Sequence, residues 1–277
     1  MTTQNSTQKS PLDYLKAIEE SQAIPNFWMS EEYITRKGLI IKETPRVWGL
    51  VEADDPDGPW FFPPFYCVNN APGDLSTKWW AGIPGDIWEH NGESFLDYQF
   101  IYDPRNFKTL EGHHWRAFRR EAIKWPDSHG AYGKDYTYGC MFDSQEGVGD
   151  LLLKWAGDRE VFDVEVMIDY ALHGACRWGL WYHGELVGLN VADTNWRFVN
   201  FRYCLDIGDE NLQHYLRLLF YRSPMILNLA EKGVMVNDGG CLGDGGLETF
   251  KLRMNPIRQY EIPTTVSERK PNAKSQS

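Results

Sequence analysis

The chain has 277 residues, 42% of them hydrophobic and 14% aromatic, enough to bury one large core or two smaller ones with a shared interface. A formal charge of -11 excludes broad, sequence-independent attraction to nucleic acid or to an anionic membrane, and leaves room only for a local basic patch that contacts one polyanion. No apolar run approaches the roughly 18 to 20 residues of a membrane span, and the opening MTTQNSTQKS lacks the features of a signal peptide, so the expected compartment is the cytoplasm.

Five cysteines (Cys67, Cys140, Cys176, Cys204 and Cys241) are scattered, with no CxxC pair and no Cys/His cluster at metal-ligand spacing. They read as reduced thiols, and no metal site is expected. The tryptophans Trp79, Trp80, Trp178 and Trp181 fit either a cleft wall or large core residues.

Residues 1 to 10 and the tail after Thr264 are polar and expected to be disordered. PLDYLKAIEES predicts a first helix, with Leu12, Leu15 and Ile18 at helical spacing. From Leu39 to about Val68 the runs LIIKE, RVWGLVEA and WFFPPFYCV predict strands, and the segment after them, rich in Gly, Pro, Asn and Asp, predicts an irregular excursion. FLDYQFIYDP then reads as a strand and LEGHHWRAFRREAIKW as a helix that brings Arg116, Arg120 and Lys124 close to one face. VGDLLLKWAGD and VFDVEVMIDYALHG predict two more helices.

In the last third, CRWGLWYHGELVGLNVADTNWRFVNFRYCLD contains three strand-like runs, with a hairpin turn at His183-Gly184 and a second turn at Ala192 to Asn195. One long amphipathic helix is expected from about Glu210 to Lys232, stopped by Gly233. A short strand VMVND, a glycine-rich loop GGCLGDGG, a helix LETFKLRM ended by Asn255-Pro256 and a strand IRQYEIP follow. This order of meander, helix, strand, loop, helix and strand is that of a GNAT core, in which acyl donor and acceptor meet where central strands splay.

The segment from Val236 to Pro256 resembles the closing motif of the cytosolic domain of phosphatidylglycerol lysyltransferases, through Asn237, Gly246-Leu247, Lys251 and Pro256. Upstream, Tyr102, Asp103, Leu110, Gly112 and Arg119 resemble the same family's strand ending in Tyr-Asp, its Leu-x-Gly and its basic helix. The resemblance implies an α+β, tandem GNAT-like (acyl-CoA N-acyltransferase) fold shared with Fem-type aminoacyltransferases. That fold has mixed, mainly antiparallel sheets flanked by helices, one half spanning residues 11–145 and the other 146–264. One position departs from the pattern, Cys241, where the family has Asp.

Acyl transfer needs an activated nucleophile, a stabilised oxyanion and a grip on a phosphate-bearing donor. Arg116, Arg119, Arg120 and Lys124 are candidates to clamp phosphates, against the alternative of a solvated helix face. Asn237, Gly239, Gly240 and Gly246 belong to a loop that leads into a helix N-terminus, where free N–H groups favour an anion. Asp238 and Asp244, ahead of Glu248, are the candidate proton acceptors, and Lys251 the candidate cation near the donor or the tetrahedral intermediate. The His113-His114 pair reads as a base, a phosphate ligand or an exposed helix start.

No Arg/Gln-x-x-Gly-x-Gly/Ala string of a GNAT pyrophosphate loop is present, which shifts the expectation from acetyl-CoA toward an aminoacyl donor. The expected function is transfer of an aminoacyl or acyl group from a tRNA- or CoA-type co-substrate to an amine or hydroxyl, with no tightly bound cofactor. Two alternatives stand beside it: modification of a nucleobase or nucleotide, and a catalytically silent binding module.

Overall fold

The computed structural model describes residues 10, 12–16, 31–36, 38–43, 47–53, 62–67, 79–80, 93–141, 146–157, 168, 171–172, 176–194, 198–207, 210–241 and 244–266. The chain is α+β, with mixed, mainly antiparallel sheets and flanking helices, as the sequence leads one to expect. Residues 12–16 are helical, and α1 covers Glu31–Arg36. The strands β1 (Leu39–Glu43), β2 (Val47–Glu52), β3 (Phe62–Cys67) and β4 (Trp79–Trp80) form a four-stranded antiparallel sheet in sequence order. Apart from β4, the expected irregular excursion lies outside the described residues, as do the tails 1–9 and 267–277.

A seven-stranded sheet carries the rest, in the order β11-β5-β10-β9-β8-β7-β6. Its members are β5 (Glu93–Tyr102), β6 (Tyr136–Cys140), β7 (Cys176–Tyr182), β8 (Glu185–Thr194), β9 (Phe198–Asp206), β10 (Met235–Asn237) and β11 (Arg258–Val266). Because β5 and β6 precede residue 146 and pair with strands that follow it, the division expected at 145/146 passes through this one sheet. At the other end, β11 continues past Thr264 to Val266, in register with β5 from Ile101 to Glu93.

Successive side chains of a strand go to opposite faces, and the sheet uses this to build two cores. On one face Phe100, Tyr102, Trp178, Phe201, Cys204 and Val236 pack under α2 (Arg116–His129), α4 (Glu210–Arg222) and α5 (Pro224–Glu231). On the other, Leu189, Val191 and Leu205 meet Val148, Leu151 and Leu152 of α3 (Val148–Ala156). Trp178 is a core residue, its ring 5.3 Å from that of Phe220, and Trp181 packs against the second core. The helix expected over 161–174 lies outside the described residues except for Ile168, Ala171 and Leu172, which are helical.

Two local features show how the chain sets its turns. His183 and Gly184 join β7 to β8 with φ of 48° and 86°, the left-handed pair that a two-residue hairpin requires. The helix expected without interruption from Glu210 to Lys232 is in fact two. Pro224 has no N–H to continue the ladder, and Ser223, with extended backbone, caps the new helix by accepting from Ile226 N at 3.4 Å, so α5 starts afresh.

Candidate functional site

β9 and β10 are the sheet's one parallel pair among the described residues, and their ladder is short: Met235 with Phe198, Val236 with Val199, Asn237 with Asn200. After Asn237 the chain follows β5 instead. Asp238 N donates to Phe100 O at 2.9 Å, and Phe100 N donates to Gly239 O at 3.2 Å. β9 meanwhile stays with β8 as far as Asp206. The ladder of the two strands therefore ends at Asn200 and Asn237, the mouth of the parallel pair.

Polar side chains from three elements meet at that mouth. Asp238, the first residue after β10, turns its carboxylate to the helical face, where Arg217 of α4 places Nη1 2.8 Å from Oδ2. Tyr221, one turn later on α4, donates its hydroxyl to the same oxygen at 3.1 Å. The Arg217 guanidinium lies 3.7 Å above the Phe201 ring, a cation–π contact in a desolvated setting. Lys251 arrives from α6 (Gly245–Arg253) with Nζ 3.4 Å from Asp238 Oδ1. The same ammonium donates to the carbonyl oxygens of Asp238 at 2.5 Å and Gly240 at 2.7 Å, so it pins the glycine turn. Gly239, at φ 69°, gives that turn its left-handed step, and its N–H donates to Asn237 Oδ1 at 2.9 Å.

Burial shapes the charges here. It pulls the Lys251 pKa below the ordinary lysine value, against the opposing pull of Asp238. Burial also works against the Arg217 charge, but Asp238, Cys204 and Tyr221 outweigh it and hold the guanidinium above its usual value. Tyr102 and Tyr221 are pushed well up, first by burial and next by the Asp238 charge, so both hydroxyls act as donors.

The two resembling segments meet in the β10–β5 ladder, where Val236 pairs with Tyr102, and through the Tyr102 hydroxyl, which donates to the Lys251 carbonyl at 2.8 Å. Asp103 has a local duty, accepting from Arg105 N at 2.9 Å to cap a 3-10 turn. The Leu-x-Gly signature also has a physical explanation. Leu110 and Gly112 both take positive φ, 55° and 94°, and Arg119 donates from Nη1 to Leu110 O at 2.5 Å, which holds that bend against α2.

The remaining candidates fall in other places. Arg120 and Lys124 both pair with Glu121 on the outer face of α2, and Arg116 is exposed there. His113 and His114 form an exposed 3-10 turn ahead of α2. α2 and α6 flank α4 from two sides, with His214 between Phe118 and Phe250 at 5.8 and 4.7 Å, while the α2 cations themselves face solvent. Asp244 is the N-cap of α6: its Oδ1 accepts from Gly246 N at 2.8 Å and Leu247 N at 3.1 Å. The N–H groups expected to hold an anion at this helix start are thus engaged by a carboxylate already in place. Glu248 lies in the first turn of the same helix.

Sequence reasoning missed Arg217, Tyr221 and the buried pair Arg202–Asp193, whose Nη2 and Oδ2 are 2.8 Å apart. Arg217 left one signal: it sits one turn before Tyr221 on a helix whose neighbouring positions, Leu216 and Leu218, are both buried.

No protein-family model and no curated protein matches this chain. Among solved structures, it is similar to a conserved protein of unknown function from Bacteroides thetaiotaomicron VPI-5482, at 19% identity and TM-score 0.47 over 64% of this chain and 63% of that one. L-PGS from Bacillus licheniformis is similar at 16% identity and TM-score 0.44, over 62% of this chain and 61% of that one. The C-terminal domain of a putative lysylphosphatidylglycerol synthetase from Agrobacterium fabrum is similar at 13% identity and TM-score 0.40, over 61% and 60%. The chain spans less than two thirds of the length of each of these three. At such identities and TM-scores no activity passes from them to this protein. Among the described residues, no helix is long and apolar enough to cross a membrane.

Proposed function

We propose that this protein is a GNAT-like acyltransferase that moves an acyl or aminoacyl group from a tRNA- or CoA-type donor to an amine or hydroxyl acceptor. One observation carries the reading: the parallel strands β9 and β10 part at Asn200 and Asn237, and Arg217, Asp238 and Lys251 gather at the opening. A donor carbonyl lodged there is attacked by the acceptor's nitrogen or oxygen. The tetrahedral oxyanion collapses, the ester oxygen or thioester sulfur leaves, and it takes up the proton that the acceptor gives up. Arg217 and Lys251 are the cations nearest that oxyanion, and fixed charges in a site with little water are the strongest stabilisers of such a species.

In this reading Asp238 orients Arg217 and Lys251 and is not the base, because its carboxylate already faces an arginine, a lysine and a tyrosine hydroxyl. The same engagement of Asp238 by Arg217, Lys251 and Tyr221 favours a second reading, a binding module that keeps the mouth without turnover. Incubating the full chain with charged tRNA and with an acyl-CoA pool, each with a metabolite extract as acceptor, separates the two. Loss of the acyl group above the uncatalysed rate, reduced at least tenfold by Arg217→Met, supports transfer; no loss from either donor supports the silent module.

A further inference from the structure

The cluster at the mouth does not balance its charge. Arg217 and Lys251 bring two positive charges, Asp238 brings one negative, and their side chains are only 5%, 4% and 1% exposed. Lys251 is compensated by two carbonyl oxygens. Arg217 is not so well served, since its Nε and Nη1 have no hydrogen bond of good geometry, although Nη1 lies close to Asp238. A guanidinium carries five N–H donors in a planar fork, and leaving them unsatisfied in a buried position is costly. Phe201 covers one face of the fork, and an aromatic ring offers no acceptor lone pair in the plane of the N–H groups.

We propose that the Arg217–Asp238–Lys251 cluster is the receptor for one anionic group, a carboxylate or a phosphoryl oxygen, of the ligand that enters between β9 and β10. Geometry supports it in three ways. Arg217 contacts Asp238 and Phe201, the residues that directly follow the last ladder pair, Asn237 with Asn200. The half-exposed glycines Gly239 and Gly240 form the adjacent wall, without side chains to block an approach. Tyr221 donates to the same Asp238 oxygen that Arg217 approaches, so the carboxylate is held in place beside the guanidinium. An anion docked on Arg217 would cancel the surplus charge and accept from a donor that has no partner of good geometry. The assignment rests on the mouth being the ligand entrance, but not on turnover taking place there.

The test is calorimetric titration of the full chain with sodium sulfate and, separately, sodium acetate, at constant ionic strength in chloride. The wild type is expected to bind one of these at a single saturable site. Lys251→Met removes the surplus charge and weakens binding at least tenfold. Asp238→Asn raises the surplus to two and tightens binding at least tenfold, a gain that a merely structural role would not produce. Thermal unfolding of each variant checks that it is folded, and the opposite directions expected of the two keep the test decisive if one of them is not. Preference for acetate assigns a carboxylate, and preference for sulfate assigns a phosphoryl group. Absence of saturable binding, or equal binding by wild type and variants, overturns the proposal. Anion binding without acyl transfer would sink the transferase reading alone, and transfer without anion binding would sink this inference alone.

Discussion

Arg217 and Asp238 form a nearly dry ion pair, 2.8 Å from Nη1 to Oδ2, between helix α4 and the first residue after strand β10. Removing one partner of such a pair leaves the other buried and uncompensated, which costs about 3–5 kcal/mol. Asp238→Leu, which leaves both Arg217 and Lys251 buried without their carboxylate, is therefore expected to lower the unfolding free energy by about that amount in urea denaturation. The double variant Arg217→Met, Asp238→Leu is expected to recover part of that loss, because only Lys251, which keeps its two carbonyl acceptors, is then left without a carboxylate.

Lys251 makes the stability of the fold depend on alkaline pH. Its pKa in the folded chain is lowered from 10.5 by burial, so between that lowered value and 10.5 the unfolded chain holds more protons than the folded one. By linkage, stability then rises with pH through this window, is fully gained above 10.5, and is lost as pH falls through the folded value. Cys204 works in the opposite sense: burial pushes its thiol from 9.0 up to about 12, so its contribution is present below 9.0 and declines above it. Lys251→Met retains the Cys204 effect. The difference between wild type and variant in chemical denaturation at a series of pH values should isolate the rise due to the lysine.

Gly188 lies on β8 directly beneath α4. A Cβ there would come 2.7 Å from Leu216 Cδ1, in a part of the core where the helix cannot lift without disturbing its neighbours. Gly188→Ala is expected to cost about 1–3 kcal/mol by overpacking. Gly139→Ala on β6, where a Cβ would meet nothing within 4 Å, should change stability by less than about 0.5 kcal/mol. Denaturation curves of the pair measure both.

Cys140 is exposed, whereas Cys204 and Cys241 are buried. With its pKa pushed up to about 12, Cys204 has almost no thiolate at pH 8. Brief treatment of the native protein with iodoacetamide at that pH should label Cys140 and spare Cys204 and Cys241, read by peptide mass spectrometry. Equal labelling of the three would mean that the region behind the mouth opens readily.

Local signals in the sequence announced much of this fold. The two-residue hairpin at His183-Gly184 was legible because few sequences other than those with glycine tolerate the backbone it needs, and the end of α5 was legible from Gly233, at φ 85°. Pro224 was equally visible, but the strong apolar periodicity on either side of it concealed a break that the capping side chain of Ser223 makes stable. The site was harder. Lys251 was singled out by its spacing, yet that spacing carries no information about burial, and the lysine proves to be 3% exposed. Arg217 was easy to overlook because α4 is buried on most of its circumference, and a charged residue between two leucines reads as the wet side of a helix. The cations of α2 gave the reverse impression: their helical spacing groups them on one face, which says nothing about what that face meets.

The central claim is that ligand enters where β9 and β10 part. Amide hydrogen exchange of the full chain, with and without a charged tRNA pool or an acyl-CoA pool, tests it most directly. Slower exchange confined to Asn200–Tyr203 and Asp238–Cys241 is the predicted outcome for the productive donor. Slower exchange confined to Arg116–Lys124, or at neither segment with any donor, would contradict it.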